Sequence, residues 1–520
     1  MSSKVEVPTW ATVGPKSKGR PPALVLGLFG VVLIAALYVR WPHVPERYLW
    51  LDESWRAELI FTTASPQAAI EYAAKERLII QLPEWVLGKV GLSLFGKSAL
   101  AFRIWPLLFA MIGLVGVFLF VSTVASPSAA LLATFLIGCG QGFIQHSREF
   151  KPYALDFALT VWTFYALVRV PYGKQKRNNV FLCVLLHLFA LSSLVFTFVF
   201  PAVVLERISR RRCPSRFEWF TFISPPVVFL LLFVLFLSPQ QLTELHNSWQ
   251  HYYANSLANL QFLALALPKS LSLFIPGWIG AFLSFFVFFP LLAIWNRDRL
   301  GLLLLTPFFV QLIMSILGRY PMFERPSYYL YGLMVIAFAL VVSAGIRWLV
   351  RHWPPYQDRS ETGVILALIG SLLLTGSVSQ HASRGMQWPS RQGREVFEIL
   401  AQEFRPGDHL RLGYGAYFTF LFYKDLAFSS NPALLAQKLQ RNDALNDRSS
   451  ADLCASLKER SADITVGDRV LFVSTHVGNA HKHYREVLPR IGKMSILVGE
   501  LQQSLILLEV TKPPQTLLCS

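Results

Sequence analysis

Charged residues are scarce in this chain: they make up 15% of its 520 residues, whereas a soluble domain carries about a quarter. The sequence is instead 53% hydrophobic, with a mean hydropathy of +0.44. Apolar runs of roughly 18 to 25 residues alternate with short basic loops, as in helices that cross a hydrocarbon core. Because these runs are continuous rather than alternating, they predict helices and not the strands of a membrane barrel. The shortage of charge therefore excludes an ordinary soluble protein.

Cysteine is also rare, at five residues, and no CxxC pair exists, which leaves a zinc site with little support. Cys139 and Cys183 lie in apolar runs, where cysteine packs as a small core residue. Cys454 and Cys519 lie near the C-terminus and could pair if that region faces an oxidising compartment. The C-terminal region has no phosphate-binding glycine loop, and the chain has no internal repeat.

Positive charge, in contrast, is in excess, with a formal net charge of +17. Much of it lies in short loops between apolar runs, above all at 174–177 and 207–216, which predicts that these loops are cytoplasmic. We attribute the excess to membrane topology and lipid head groups, and nucleic acid is not an expected partner. An even number of crossings must separate the two loops, so Val180 to Leu205 is predicted to hold two short helices.

The charge of successive loops predicts an α-helical polytopic membrane protein with 11 transmembrane helices, the N-terminus cytoplasmic and the C-terminus outside. Residues 1–22 form a cytoplasmic tail and 23–380 the membrane domain, whose first outer loop is 41–98. The first span is predicted to be an uncleaved anchor, and Trp85 to Phe95 a helix lying along the membrane surface. The predicted spans outside 180–205 are Ala23 to Tyr38, Ala99 to Ala125, Ala129 to Gln145, Tyr153 to Val170, Phe217 to Leu237, Leu271 to Trp295, Leu300 to Leu317, Tyr328 to Ile346 and Gly363 to Val378.

From about His381 the composition becomes that of a globular protein, so 381–520 is predicted to be a small extracytoplasmic α/β domain. The apolar pattern predicts two helices, at Val396 to Glu403 and Ala480 to Leu488. It predicts three strands, at His409 to Leu412, Arg469 to Ser474 and Ser504 to Val510.

Four segments meet the extracytoplasmic surface on this topology, and the first carries an acidic pair, Asp52 and Glu53. Adjacent residues do not share a helix face, so both carboxylates cannot point at one reacting atom if the segment is helical. One could act as a base while the other orients it or pairs with Arg56. The alternative is a helix N-terminus, where acidic side chains interact favourably with the macrodipole.

The second and third outer segments carry cations on the side of the membrane that the positive-inside bias disfavours. Arg148 and Lys151 lie in the turn between two predicted spans, and Arg319 and Arg325 lie in a later turn. Such cations could bind a lipid phosphate. They could equally be interfacial side chains that snorkel, or pair at the surface with Glu324.

Two further features of the outer segments bear on a site. Asp156 begins an apolar helix, where an unpaired carboxylate is costly, so a partner or a function is expected. The fourth segment is aromatic, with Trp249 and Tyr252, and is expected to pack over an acceptor. Its two histidines, His246 and His251, have no spacing that is diagnostic of a metal.

Taken in order, these motifs resemble those of the GT-C glycosyltransferases, in particular the bacterial type of the protein O-mannosyltransferase and lipid A aminoarabinose and galacturonic acid transferase group. Gln81-Leu82-Pro83 departs from the His-Pro-Pro that this family often has. The resemblance rests on Leu51-Asp52-Glu53-Ser54-Trp55, Phe95-Gly96-Lys97-Ser98 with Ala101-Phe102-Arg103-Ile104, Ser147-Arg148-Glu149 with Tyr153-Ala154-Leu155, Gly318-Arg319-Tyr320-Pro321 with Arg325, and, for the outer tail domain, Arg405-Pro406-Gly407-Asp408 with Tyr414-Gly415-Ala416.

This resemblance implies an enzyme that takes a sugar from a polyprenyl-phosphate donor. An extracytoplasmic hydroxyl of a glycolipid, polysaccharide or protein would attack the anomeric carbon with inversion. Asp52 would be the general base, ionised at neutral pH, and Glu53 its support. No cofactor is firmly implied, a divalent metal stays open, and the expected location is a bacterial inner membrane. The candidates for binding the donor phosphate are Arg103, Arg148, Lys151, Tyr153, Arg319 and Arg325.

Two other classes of function stay open at this point. A transporter or lipid flippase would also span the membrane many times, but its charges would lie near the midplane in broken helices. A non-catalytic membrane scaffold for the tail domain would not need Asp52, Arg148 and Arg319 to converge.

Overall fold

The computed structural model describes residues 21–41, 51–76, 80–169, 176–209, 216–236, 249–274, 299–322, 325–352, 360–374, 394–427, 463–475, 480–500 and 503–514, with isolated positions between them. Contacts divide the chain into two compact units. The membrane unit comprises residues 1–45 and 70–388, and the tail unit comprises 46–69 and 389–520.

The described part of the chain before residue 375 is helical. Its helices are α1 (Ala23–Arg40), α2 (Leu51–Thr62), α3 (Pro66–Lys75), α4 (Leu82–Phe95), α5 (Ala99–Val124), α6 (Pro127–Cys139), α7 (Gln141–His146), α8 (Tyr153–Arg169), α9 (Lys176–Ser192), α10 (Phe196–Ser209), α11 (Arg216–Phe236), α12 (Leu257–Phe274), α13 (Arg299–Ile316), α14 (Tyr328–His352) and α15 (Glu361–Leu374). Within the described ranges, the segments Ala23–Arg40, Ala99–Val124 and Tyr328–Val350 are long and apolar enough to cross a membrane. The total of 11 spans stays a prediction, and most of the run Leu271 to Trp295 lies outside the described residues.

Local sequence explains where several helices begin. The Ser98 hydroxyl accepts a hydrogen bond from the Ala101 backbone N–H at 3.3 Å at the start of α5. Ser126 does the same for Ala129 at 3.1 Å, and Pro127 occupies the first position of α6, where no donor is needed. These caps satisfy backbone groups that an apolar environment would otherwise leave without partners.

Two of the predicted spans are broken helices. The prediction of two short helices within Val180 to Leu205 is confirmed, since α9 ends at Ser192 and α10 begins at Phe196. The prediction of one helix from Ala129 to Gln145 is wrong, because the chain is extended at Gly140 between α6 and α7. A side chain at Gly140 would come within 2.9 Å of the Phe274 carbonyl oxygen, so only glycine fits this break.

The tail unit contains a five-stranded mixed sheet in the order β2-β1-β3-β5-β4. Strand β1 pairs in parallel with β2 and β3, and β5 pairs antiparallel with β3 and β4. Its elements are α16 (Arg394–Glu403), β1 (His409–Leu412), α17 (Tyr414–Ala427), β2 (Gln440–Arg441), β3 (Arg469–Thr475), α18 (Ala480–Val487), β4 (Gly492–Glu500) and β5 (Gln503–Val510).

Side chains alternate across strand β3, so both faces of the sheet are buried. Val470 and Phe472 pack in one apolar cluster with Tyr484 of α18. Leu471 and Val473 pack in another with Phe397 of α16. All five elements predicted in the tail are confirmed within two residues at each end, whereas α17, β2 and β4 were not predicted.

Candidate functional site

The acidic pair lies in the first turn of α2, in the tail unit. Glu53 is fully buried, whereas Asp52 is half-buried. Since neighbouring helical positions lie about 100° apart, the two carboxylates face different surroundings. Asp52 is therefore the more accessible of the pair. Both acidic residues lie at the N-terminal end of the helix, where the macrodipole interacts favourably with acidic side chains.

Helix α2 is fixed to α17 by polar and aromatic contacts on both sides of the acidic pair. The Tyr423 hydroxyl accepts a hydrogen bond from the Leu49 backbone N–H at 2.9 Å. The Thr419 hydroxyl donates to the buried Ser54 hydroxyl at 3.1 Å, and the rings of Trp55 and Phe418 meet edge to face at 5.8 Å. The tail unit thus holds the backbone of the acidic pair on a rigid helix.

In the membrane unit, the turn that follows α7 carries the candidate Arg148. The backbone N–H of Arg148 donates to the Gln145 carbonyl at 3.2 Å. His146 Nδ1 lies 3.5 Å from a Glu149 carboxylate oxygen, across the same turn. The ring of Phe150 contacts that of Phe102 at 5.1 Å. This contact places the start of α5 beside the Arg148 turn, and the candidate Arg103 follows Phe102 in that helix.

The six candidates for binding a donor phosphate differ in how exposed their side chains are to solvent. Arg103 and Arg148 are at most 1% exposed. Lys151, Tyr153 and Arg325 are half-buried, and Arg319 is exposed. A buried guanidinium binds an oxyanion far more strongly than a solvated one, because water screens the latter. The structure therefore ranks Arg148 and Arg103 above Arg319.

Asp156 lies in the first turn of α8 and is buried. Its carboxylate hydrogen-bonds to the side chain of Ser193, at the break between α9 and α10. Glu84, in the first turn of α4, is close enough for its charge to act on Asp156. Asp156 therefore has polar neighbours, and the expectation of a function for it stays a prediction. Sequence reasoning missed Glu84 and Ser193, since neither stands in a motif and only the packing of α4, α8 and α9 brings them together.

The turn between α13 and α14 adds Tyr320 to this group. Burial raises the pKa of the Tyr320 phenol well above its ordinary value, and the charge of Asp156 adds to the effect. The phenol is therefore neutral at pH 7 and can donate a hydrogen bond. Gly318 adopts a left-handed conformation, with φ of +66°, which a residue with a side chain rarely adopts. Met314 accepts a hydrogen bond from the Arg319 backbone N–H at 2.8 Å and closes the turn.

The aromatic fourth segment packs on this turn. The Tyr252 carbonyl accepts a hydrogen bond from the Met322 backbone N–H at 2.9 Å, and His246 Nδ1 lies 3.1 Å from the Gly318 carbonyl oxygen. Trp249 and Tyr252 are half-buried, with ring centroids 5.5 Å apart. Two of the segments predicted to meet at the outer surface thus contact each other. Among the described residues, no three His, Cys, Asp or Glu side chains are grouped to hold a metal ion.

An apolar cleft opens at Ser193, the neighbour of Asp156. It is lined mainly by aliphatic and aromatic side chains of α9, α11 and the start of α4, among them Leu82, Leu191 and Phe229. Ser193, which holds Asp156, also lines it. The cleft therefore joins an apolar wall to a polar end.

No protein-family model and no curated protein matches the sequence. The fold, in contrast, matches that of ArnT from Cupriavidus metallidurans bound to undecaprenyl phosphate, at a TM-score of 0.52 and 13% identity over 93% of this chain and 98% of that one. It also matches the Archaeoglobus fulgidus oligosaccharyltransferase in complex with zinc and sulfate, at a TM-score of 0.53 and 13% identity over 92% of this chain and 72% of that one. The chain has the fold of the GT-C glycosyltransferases.

The GT-C fold extends over nearly the whole chain, from the first span to the tail unit. Its long apolar helices indicate a membrane protein. The fold resemblance inferred from the motifs is thereby confirmed. Residue roles do not follow from a likeness at 13% identity, so they rest on the chemistry of this chain alone.

Proposed function

We propose that this protein is an integral membrane glycosyltransferase that moves a sugar from a polyprenyl-phosphate donor to an extracytoplasmic hydroxyl acceptor with inversion. The observation that carries the proposal is that Arg103 and Arg148 are both buried in a GT-C fold, in segments whose neighbouring rings, Phe102 and Phe150, contact each other. Guanidinium groups bind phosphate bidentately. The solved ArnT structure, which shares this fold, contains undecaprenyl phosphate.

The chemistry needs one base and one anion site. The acceptor oxygen attacks the anomeric carbon, the bond from that carbon to the phosphate oxygen breaks, and the polyprenyl phosphate leaves with the bonding electrons. Asp52 takes the acceptor proton, because it is the accessible member of the pair, and Glu53 orients the helix end. A phosphate leaving group needs charge stabilisation rather than a general acid, and Arg148 and Arg103 provide it.

The apolar cleft beside Asp156 suits the isoprenoid chain of such a donor. Its walls are hydrocarbon, and each buried methylene of a lipid contributes about 0.8 kcal/mol. The polar end of the cleft, at Ser193, lies next to the buried Asp156. A transporter or flippase would not need a general base. A measured transfer of sugar to an acceptor would therefore distinguish a glycosyltransferase from a transporter.

An extracytoplasmic location of the tail unit is supported by Cys454, which is disulfide-bonded. Disulfides persist in oxidising compartments and are rare in the cytoplasm. We expect a membrane-impermeant thiol reagent, applied from outside, to label cysteines introduced at Asp468 but not at Lys176. Labelling at Lys176 would contradict the predicted topology.

The deciding experiment compares glycolipids and glycoproteins by mass spectrometry in cells with and without the gene. The proposal predicts one glycoconjugate that loses a single sugar. Purified protein in lipid nanodiscs should then release undecaprenyl phosphate from the matching undecaprenyl-phosphate sugar only when the acceptor is present. Movement of the donor across the bilayer without transfer would favour a flippase, and an unchanged glycoconjugate profile would favour a scaffold.

A further inference from the structure

Gln145 and Gln311 are both buried in the membrane unit, and they differ in their hydrogen bonds. Gln311 on α13 donates from Nε2 to the Pro321 carbonyl at 3.0 Å and to the Ser327 hydroxyl at 2.9 Å. Its Oε1 accepts from the Tyr329 hydroxyl at 2.8 Å. Gln311 is fully buried and nearly fully satisfied, which is the usual state of a structural amide.

Gln145, at 1% exposed, has the opposite environment. Neither its Nε2 nor its Oε1 has a hydrogen-bond partner among the described residues. A buried amide without partners destabilises a fold, since it gives up water and gains nothing in return. An apolar residue of the same size would remove that penalty. The amide is thus better explained by a bound molecule than by packing.

The position of Gln145 indicates which molecule. It stands three residues before Arg148, whose backbone N–H donates to the Gln145 carbonyl at 3.2 Å. Side chains three positions apart lie on the same side of a helical turn. The amide therefore lies within one turn of the buried guanidinium that is a candidate for the donor phosphate.

We propose that Gln145 binds the sugar of the donor through a sugar hydroxyl, and so contributes to sugar recognition; this inference rests on the proposed glycosyltransferase function. An amide offers both a donor and an acceptor, and a hydroxyl matches both. A phosphate oxygen only accepts, so it would leave Oε1 without a partner. The guanidinium of Arg148 serves the phosphate, and the neutral amide serves the sugar next to it.

The test uses Gln145→Met in the full-length protein, with Gln311→Met as the matched control. Methionine has nearly the volume of glutamine and no amide. Gln145→Met should raise the melting temperature of the unliganded protein by about 2 °C, because a penalty is removed. Gln311→Met should lower the melting temperature, because it leaves the Pro321 carbonyl and the Tyr329 hydroxyl without their partner.

Binding is then measured with undecaprenyl phosphate and with undecaprenyl-phosphate glucose, mannose and arabinose. Gln145→Met should bind undecaprenyl phosphate as the wild type does, but lose about tenfold in affinity for the sugar-bearing lipid that the wild type prefers. A lowered melting temperature, or an unchanged preference for the sugar-bearing lipid, would overturn the role of Gln145. If the wild type binds undecaprenyl phosphate and all three sugar lipids equally well, the role of Gln145 in sugar recognition is also overturned. The proposed glycosyltransferase function would still stand or fall on the transfer assay, which does not depend on Gln145.

Discussion

The guanidinium of Arg40, the last residue of α1, donates a hydrogen bond from Nε to the Ser147 hydroxyl at 2.8 Å. Its remaining donors reach the carbonyl oxygens of Ala36 at 2.9 Å and Gly138 at 2.7 Å, near the C-terminal ends of α1 and α6. The negative ends of two helix dipoles thus face one buried cation. Because Ser147 precedes Arg148, this contact ties the first span to the candidate phosphate-binding turn.

We expect Arg40→Gln to raise the donor KM about tenfold or more, because the Arg148 turn loses its anchor. Arg40→Lys should restore only part of this effect, since an ammonium group cannot hold Ser147 and two carbonyls in a planar fork. Initial rates at varied donor concentration measure the change. Arg347→Gln is the matched control: it removes an arginine that pairs with Glu361 at 3.4 Å, away from the Arg148 turn, and should leave the donor KM unchanged.

A double-mutant cycle separates positioning from general loss of stability. If Arg40 acts through Ser147, Ser147→Ala should add little to Arg40→Gln, with a coupling energy of about 1 kcal/mol or more. Additive effects on donor KM would show that Arg40 stabilises the fold without setting the turn.

The accessible carboxylate of α2 is the second test. Asp52→Asn keeps the shape of the side chain and removes the base, so turnover should fall by roughly 100- to 10,000-fold while donor binding persists. Glu53→Gln should be milder if Glu53, which is fully buried, only orients the helix end. Single-turnover rates and donor binding are both measured. Near-normal transfer by Asp52→Asn together with loss in Glu53→Gln would reverse the two roles.

Local signals in the sequence predict the tail elements well. Strand β1 was predicted at the residues where it occurs, because alternating apolar positions mark it. Helix α17 was not predicted, because its first residues, Tyr414 and Gly415, were noted only for their resemblance to a motif of the family's outer tail domain. Its aromatic face packs on α2, more than 300 residues earlier in the chain, and no local pattern reports such a contact.

Some features of the candidate site were likewise predictable from the sequence, and others were not. Asp156 was found because a charge in an apolar helix is costly and therefore conspicuous. Arg148 was found because a cation in an outer turn runs against the positive-inside bias. Their exposures were not predictable, since Arg148 and Arg319 look alike in sequence but one is buried and the other exposed. The Asp156–Ser193 hydrogen bond depends on the helix break before Phe196, so Ser193 could be identified as the partner of Asp156 only from the structure.

Acid should weaken the tail unit through Asp468. The Thr465 backbone N–H donates to its carboxylate at 2.6 Å, and His409 Nε2 lies 3.3 Å away. The Thr465 hydrogen bonds and the charge of His409 outweigh burial and hold the pKa of Asp468 below its ordinary value. A carboxyl with a lowered folded-state pKa contributes stability that is fully present above its unfolded pKa, near 4, and lost as pH falls through the folded value.

Asp468→Asn should therefore lower the free energy of unfolding of the tail unit by about 1 kcal/mol at pH 7. Below about pH 4 the free energies of unfolding of the variant and the wild type should converge. Protease susceptibility of the tail in the full-length protein, followed against temperature at both pH values, measures this. Glu509→Gln changes an exposed carboxylate on β5 and should alter stability little at pH 7. If the difference in stability between Asp468→Asn and the wild type grows as the pH falls, the lowered pKa of Asp468 does not stabilise the tail unit.

The last prediction compares Arg148 and Arg319, two arginines that the sequence ranks equally and the structure does not. Arg148 is 1% exposed, whereas Arg319 is exposed. If both bind the donor phosphate, Arg148→Ala should still weaken donor binding far more than Arg319→Ala, because a desolvated charge interacts more strongly. Arg148→Lys should recover only part of the binding, since lysine cannot bind phosphate bidentately.

Raising the salt concentration should reduce the loss of donor binding caused by Arg319→Ala and leave most of the loss caused by Arg148→Ala, because exposed charges are screened. Undecaprenyl phosphate binding in nanodiscs at two salt concentrations measures both. Equal losses with equal salt dependence would show that burial does not rank these residues, and wild-type binding by the double alanine variant would place the phosphate elsewhere.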